Sequence, residues 1–243
     1  MAERRAVIDD LVNLYGDYCS PFTYKLRNGI KGEQIHKEGF INCHWNDKYK
    51  MIFMHIDKCA STSVSYALSQ CQVRFHPLDE MPRQQNCDLL AKYFVESDHE
   101  FFAITRDPVD RWISGLNEFV CRFRPPIPWV VNQVKNKKYI FDEHTGPQTA
   151  FLRLCLENNG RLHLLKLDDE LSPKLNLFIK SRLDKVDQFK YKPVPVPHKR
   201  NSKYFLPNYK SFCQKIYEDY VAPDKLAFDE LYKDDYDLYS KGK

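Results

Sequence analysis

Met51-Ile52-Phe53-Met54-His55-Ile56-Asp57-Lys58-Cys59-Ala60-Ser61-Thr62-Ser63-Val64-Ser65-Tyr66-Ala67-Leu68-Ser69 decides how the chain is read. Met51 to Ile56 is an apolar run without a helical polar face, so it reads as a buried strand. From Val64 the apolar residues fall at Val64, Ala67, Leu68 and Cys71, the stripe of an amphipathic helix. Between them lies a small, hydroxyl-rich turn, Lys58 to Ser63. Strand, tight turn and helix together aim free N–H groups and the positive end of a helix dipole at an anion. Lys58 adds a point charge, and Ser61, Thr62 and Ser63 add hydroxyl donors. The nucleotide-triphosphatase loop, G-x-x-x-x-G-K-[ST], is absent: here the lysine precedes the turn and no glycine is present.

A second stretch has the same design. Glu100 to Thr105 reads as another short strand, followed by Arg106-Asp107-Pro108-Val109-Asp110-Arg111-Trp112-Ile113-Ser114. Asp107 suits an N-cap, Pro108 the first helical position, and Asp110 the first turn. Arg106 is therefore expected at the carboxyl end of one strand, as Lys58 is at another, where open parallel sheets bind ligands. Ser114, two turns into the helix, is placed to donate to the same anion as Arg106.

These two blocks resemble the cofactor motifs of sulfotransferases that use 3′-phosphoadenosine 5′-phosphosulfate (PAPS). His55 to Ser63 is similar to the loop that holds the 5′-phosphosulfate, and its Lys-x-Ala-Ser-Thr-Ser form is nearest to heparan sulfate 2-O-sulfotransferases. Ile104 to Ser114 resembles the 3′-phosphate motif. The resemblance spans about residues 50 to 235, with only these two blocks specific. It implies an α/β, P-loop-like three-layer fold, with a mostly parallel central sheet and helices on both faces. It also implies PAPS as cofactor, adenosine 3′,5′-bisphosphate as product, no metal, and a hydroxyl acceptor, either a glycan or a small molecule. Lys58, Cys59, Ala60, Ser61, Thr62, Ser63, Arg106 and Ser114 would hold the cofactor. Arg200, Asn201 and Ser202, in a basic loop before the last helices, would close over it.

Sulfuryl transfer needs a base for the acceptor hydroxyl. In the resembling enzymes it lies between the two phosphate motifs, which selects His76, after an expected short strand at Gln72 to Phe75, with Glu80 behind it. His144, in Asp142-Glu143-His144-Thr145-Gly146-Pro147-Gln148, is a further candidate before a helix expected over 147–156. A plain role stands beside each of these: His76 capping a turn before Pro77, and Arg200 to Ser202 as a solvated basic turn. Cys59 reads as a small loop residue, since no paired base accompanies it.

The 243 residues, 43% hydrophobic and 14% aromatic, suffice for one α/β domain with a substantial core. That domain is read as 1–243, with 1–50 a variable N-terminal extension and 51–235 the cofactor-binding and catalytic core. A net charge of +4 suits an anionic ligand without demanding nucleic acid. No apolar run approaches membrane-spanning length, and no signal-peptide pattern opens the chain. The expectation is a cytoplasmic protein, or a Golgi-lumenal one if the sequence is a trimmed catalytic domain. Eight cysteines without a C-x-x-C pair argue against a zinc site and for reduced thiols.

Arg4 to Tyr15 is an amphipathic helix, and Asn46-Asp47 marks a hairpin. Arg122 to Trp129 reads as a proline-broken loop, Leu162 to Leu167 as a strand, and Tyr191 to Pro197 as extended. Helices are expected over Leu206 to Tyr220 and Asp224 to Tyr232, with the Tyr- and Asp-rich tail from Asp234 fraying. Two other functions fit the cradle: a P-loop-type small-molecule kinase and a non-catalytic nucleotide- or anion-binding protein.

Overall fold

Met51 to Met54 forms a strand buried at every residue because it has neighbours on both edges and cover on both faces. The computed structural model describes residues 2–29, 43–71, 73, 75–77, 98–158, 161–197 and 207–243. The strands are β1 (Cys43–Asn46), β2 (Met51–Met54), β3 (His76–Pro77), β4 (Glu100–Thr105) and β5 (Leu162–Lys166), in the order β3-β1-β2-β4-β5. β2 is parallel to β4, and β4 to β5, while β1 is antiparallel to both β2 and β3. Four strands thus share one direction and β1 opposes them, giving an α/β fold with an open, mostly parallel sheet.

Register aligns a row of rings across one face. His44 lies opposite Phe53, Phe53 opposite Phe102, and Phe102 opposite His163. Phe178, on a helix that follows β5, packs on Phe102 at 4.8 Å and on His163 at 5.2 Å. The β1–β2 hairpin closes on a tight turn: Asn46 Oδ1 accepts from the Tyr49 N–H at 2.7 Å, and Lys50 takes a left-handed φ of 54°.

The helices are α1 (Ala2–Tyr15), α2 (Pro21–Gly29), α3 (Ser61–Gln70), α4 (Pro108–Phe123), α5 (Ile127–Lys135), α6 (Thr149–Asn158), α7 (Leu171–Lys180), α8 (Lys185–Lys190), α9 (Pro207–Ile216), α10 (Leu226–Leu231) and α11 (Lys233–Lys241). No helix among the described residues is long and apolar enough to cross a membrane. The chain divides into two compact units. One comprises Ile41–Arg106, Phe151–Arg200 and Tyr239–Lys243, and contains the sheet. The other comprises Met1–Phe40, Asp107–Ala150 and Asn201–Leu238.

The helical unit is centred on aromatic rings. Trp112 and Tyr139 both pack edge-on against Phe228, and the Trp112 indole donates to the Tyr139 carbonyl at 2.9 Å. Residues near the start of the chain belong to this interior: Ile8 and Leu11 are fully buried, and Thr23 donates to the Ile140 carbonyl at 2.7 Å.

Several local expectations shift. The short strand expected at Gln72 to Phe75 falls instead on His76–Pro77, paired to β1. Pro126 and Pro128 do not prolong a loop. They sit at the N-cap and first turn of α5, where a missing N–H costs nothing. The helix expected to run through Tyr220 changes to a π-turn at Tyr217–Val221, just before Pro223, which cannot donate to a regular ladder. The tail from Asp234 does not fray. α11 buries Asp235 and Leu238, so a stretch of polar composition is held by tertiary contacts. The described cysteines are free thiols, and all but half-buried Cys121 are buried.

Candidate functional site

The turn that joins β2 to α3 is held in a conformation its side chains would not choose. Lys58 and Ala60 adopt left-handed φ values of 66° and 59°, which costs L-residues on the order of 1 kcal/mol each. The Cys59 N–H donates to the Ile56 carbonyl at 3.2 Å, and the Val64 N–H opens the helix on the Ala60 carbonyl at 2.9 Å. Ala60, the N-cap of α3, has no side-chain oxygen to offer its first turn, so the N–H groups of Ser61 to Ser63 receive no cap from it. An uncapped helix start beside a lysine is suited to an anion.

Arg106, immediately after β4, meets this turn: its Nη1 donates to the Lys58 carbonyl at 3.2 Å. Both residues follow the carboxyl ends of parallel neighbours, β2 and β4. Lys58, Ala60, Ser61 and Arg106 are half-buried and Thr62 is exposed, so these can meet a ligand. Cys59 and Ser63 are buried. The Cys59 thiol and N–H are both turned into the protein, and the residue serves the turn's shape.

Beneath the turn lies a pair of histidines. His44 Nδ1 and His55 Nε2 are 2.8 Å apart with the rings stacked at 4.8 Å, and the Ser65 hydroxyl lies 3.0 Å from the same His55 nitrogen. Ser65 in turn donates to the Ser61 carbonyl at 2.8 Å, tying the pair to the first turn of α3. Burial, and then the neighbouring His44, push the His55 pKa from 6.5 down to about 3. The folded state therefore holds His55 neutral, and its contribution is intact above the unfolded value of 6.5. As pH falls from there toward about 3, folding stability should drop by about 1.4 kcal/mol per pH unit from this residue. Urea titrations of wild type and His55→Gln test this. Their stability difference should narrow steadily on acidification, and a constant difference would show that His55 is not held neutral.

His144 occupies a second constellation, in the helical unit. Asp142, fully buried, accepts from the His144 backbone N–H at 3.1 Å and lies 3.0 Å from its Nδ1. This carboxylate–imidazole pair holds the proton on Nδ1 and the basic lone pair on Nε2. The loop around it is tightly held. Thr145 Oγ1 accepts from the N–H groups of Phe141 and Asp142 at 2.8 and 3.1 Å, buried Arg111 donates to the Gly146 and Glu143 carbonyls, and Tyr232 donates to the Thr145 carbonyl. Asp142, Glu143 and His144 also offer ligand atoms within 4.8 Å of one another. A cation there would compete with the His144–Asp142 hydrogen bonds. Ser114, half-buried on α4, precedes Gly115, which packs on the His144 carbonyl.

The structure thus joins Lys58, its turn and Arg106 in one unit, and places Ser114 and His144 in the other. The His76 backbone pairs with Trp45. Glu80, Arg200, Asn201 and Ser202 lie outside the described residues. Two partners escaped the sequence reading although signals existed. Asp142 stands two residues before His144, the spacing of an Asx-type turn. His44 falls beside His55 as soon as the hairpin register is known. The chain matches no protein-family model, no curated protein and no solved structure.

Proposed function

We propose that the chain is a PAPS-dependent sulfotransferase with a three-layer, P-loop-like fold. The observation that carries this reading is the meeting of Arg106 with the Lys58 carbonyl at the ends of parallel β2 and β4, beside the uncapped start of α3. One cation then stands by each of two phosphate-type positions. Lys58, with Ser61, Thr62 and the first-turn N–H groups, takes the 5′-phosphosulfate, and Arg106 takes the 3′-phosphate as a planar fork. In the reaction an acceptor hydroxyl oxygen attacks sulfur in line. The bond from sulfur to the 5′-phosphate oxygen breaks, the hydroxyl proton passes to a base, and adenosine 3′,5′-bisphosphate leaves. Lys58 offsets the charge growing on the leaving phosphate.

The base candidate His144 is oriented within its own unit by buried Asp142, and its role as base, like those that follow, rests on the resemblance. The roles given to His76, Glu80, Ser114, Arg200, Asn201 and Ser202 rest on the motifs alone. The acceptor is a hydroxyl compound, and the form of the Lys58 loop points to a carbohydrate.

Calorimetric titration with adenosine 3′,5′-bisphosphate, AMP and ATP–Mg²⁺ tests the reading. Wild type should bind the bisphosphate in the micromolar range and prefer it to AMP. Lys58→Ala should weaken the bisphosphate about 10- to 100-fold, the range of one lost charge-assisted contact. Because Arg106 also steadies the Lys58 carbonyl, its diagnostic is selectivity: in Arg106→Ala the preference for bisphosphate over AMP should vanish. A preference for ATP–Mg²⁺ would overturn the proposal in favour of a kinase. Binding of no nucleotide, or a 3′-phosphate preference indifferent to Arg106, would overturn it in favour of a non-catalytic anion-binding protein.

A further inference from the structure

The stretch from the end of α7 through α8 presents apolar side chains to solvent in a basic setting. On the six-residue helix α8, Val186 is 61% exposed and Phe189, one turn on, is 93% exposed. Leu177 on α7 is 70% exposed, one turn before Lys180. Single exposed apolar residues are ordinary, but a valine and an almost bare phenyl ring on one face of a short helix make a surface suited to an apolar phase.

The charges around them are predominantly positive. Lys180, Lys185, Lys190 and Lys192 are exposed, and among the described residues none of the four forms an ion pair. The acids of the same stretch, Asp184 and Asp187, share a single lysine, with Lys48 3.6 Å from the first and 2.6 Å from the second, so their charge is partly offset. Arg182 turns inward to Glu100 and stacks on Phe178 at 3.6 Å. The helix is also firmly mounted: Asp184 caps it by accepting from the Asp187 N–H at 2.8 Å, Gln188 donates to the Leu183 carbonyl at 2.8 Å, and Tyr49 donates to Asp187.

We infer that this face docks on an anionic lipid surface, with Phe189 and Val186 entering the headgroup region and the lysines meeting lipid phosphates and carboxylates. Two weak signals, apolar insertion and a polybasic rim, are what reversible membrane binding requires. Other partners fit less well. Of the three exposed apolar residues Phe189 alone has a stacking face, and Val186 and Leu177 offer a sulfated glycan or nucleic acid neither that nor a hydrogen bond. The cations are lysine point charges, without the forks that read phosphate or sulfate bidentately. A second copy of the chain would set lysines against lysines across a two-fold interface.

Co-sedimentation with phosphatidylcholine vesicles, with and without phosphatidylserine, tests the inference. The protein should pellet with the phosphatidylserine vesicles, and less so as salt is raised. Lys185→Gln/Lys190→Gln should weaken partitioning about thirtyfold, the strength of two lysines near an anionic leaflet. Val186→Ser/Phe189→Ser should weaken it about tenfold, and both double variants should keep wild-type affinity for adenosine 3′,5′-bisphosphate. Failure to bind either vesicle, or equal binding to both, would overturn the inference. So would retention on heparin without vesicle binding, or a dimer in sedimentation velocity that Val186→Ser/Phe189→Ser dissolves.

Discussion

Gly115→Ala is expected to destabilise the protein by about 3 kcal/mol or more, against the sign that helix propensity predicts. In a solvent-exposed helix interior, alanine gains up to about 1 kcal/mol over glycine. Gly115 is buried on α4, and a Cβ there would lie 2.1 Å from the His144 carbonyl oxygen and 2.6 Å from its carbon. These are backbone atoms, so no rotamer change relieves the overlap. Nor is the loop free to retreat. Arg111 holds the Gly146 and Glu143 carbonyls, Tyr232 holds the Thr145 carbonyl, and the Thr145 hydroxyl binds the chain on its other side. The overlap must separate α4 from the loop, which is the mechanism behind large overpacking losses. Urea denaturation measures the loss, and the His144 ring resonances should shift as its backbone moves. A stability equal to or above wild type would show that the loop yields freely, and the rigidity claimed for the His144 site would fall with it.

Asp235→Ala should cost about 2–5 kcal/mol, because it leaves two buried backbone N–H groups unsatisfied at about 1–3 kcal/mol each. Asp235 is fully buried and accepts from the N–H groups of Gln148 and Thr149 at 2.7 and 3.0 Å, capping the start of α6 from a residue far along the chain. Burial raises its pKa, while the Arg111 guanidinium and these two N–H donors pull it back down. Alanine would leave two buried N–H groups without their acceptor, each with its own desolvation penalty, and would remove a carboxylate whose charge the Arg111 guanidinium favours. Asp235→Asn, which keeps the shape and one acceptor oxygen, should lose distinctly less. Thermal and urea unfolding of the two variants checks the order. Equal losses would show that the shape and single acceptor oxygen kept by asparagine contribute nothing without the carboxylate charge, and a loss below about 1 kcal/mol for alanine would show that Asp235 does not anchor this region.

Both effects reside where local reading had no purchase. Gly115 looks from its neighbours like a mild flaw in a good helix, and Asp235 like part of a polar, fraying tail. Each has its importance from one contact with the 142–149 loop. The same applies to His55, whose neutral state depends on His44 and Ser65 being brought to it by the hairpin and by α3.

The sequence by itself determined the two strand–turn–helix blocks. Their signals are short-range: an apolar run of strand length at β2 and β4, small hydroxyl residues between β2 and α3, and Asp107-Pro108 with Asp110 at the start of α4. The structure has β4 at Glu100–Thr105, as read, and the Asp107 side chain accepting from the Asp110 N–H at 3.0 Å. It also marked Lys58 and Arg106 as the cations at two strand ends. Only the tertiary structure decided that those strands are parallel neighbours, that Arg106 reaches the Lys58 carbonyl, that Asp142 orients His144, and that Asp235 caps α6. The physical reason is that caps and periodicities are set by residues within a turn or two of one another. Strand neighbours and buried charge partners are set instead by which faces meet when the core closes, and a residue's own surroundings in sequence hold little of that information.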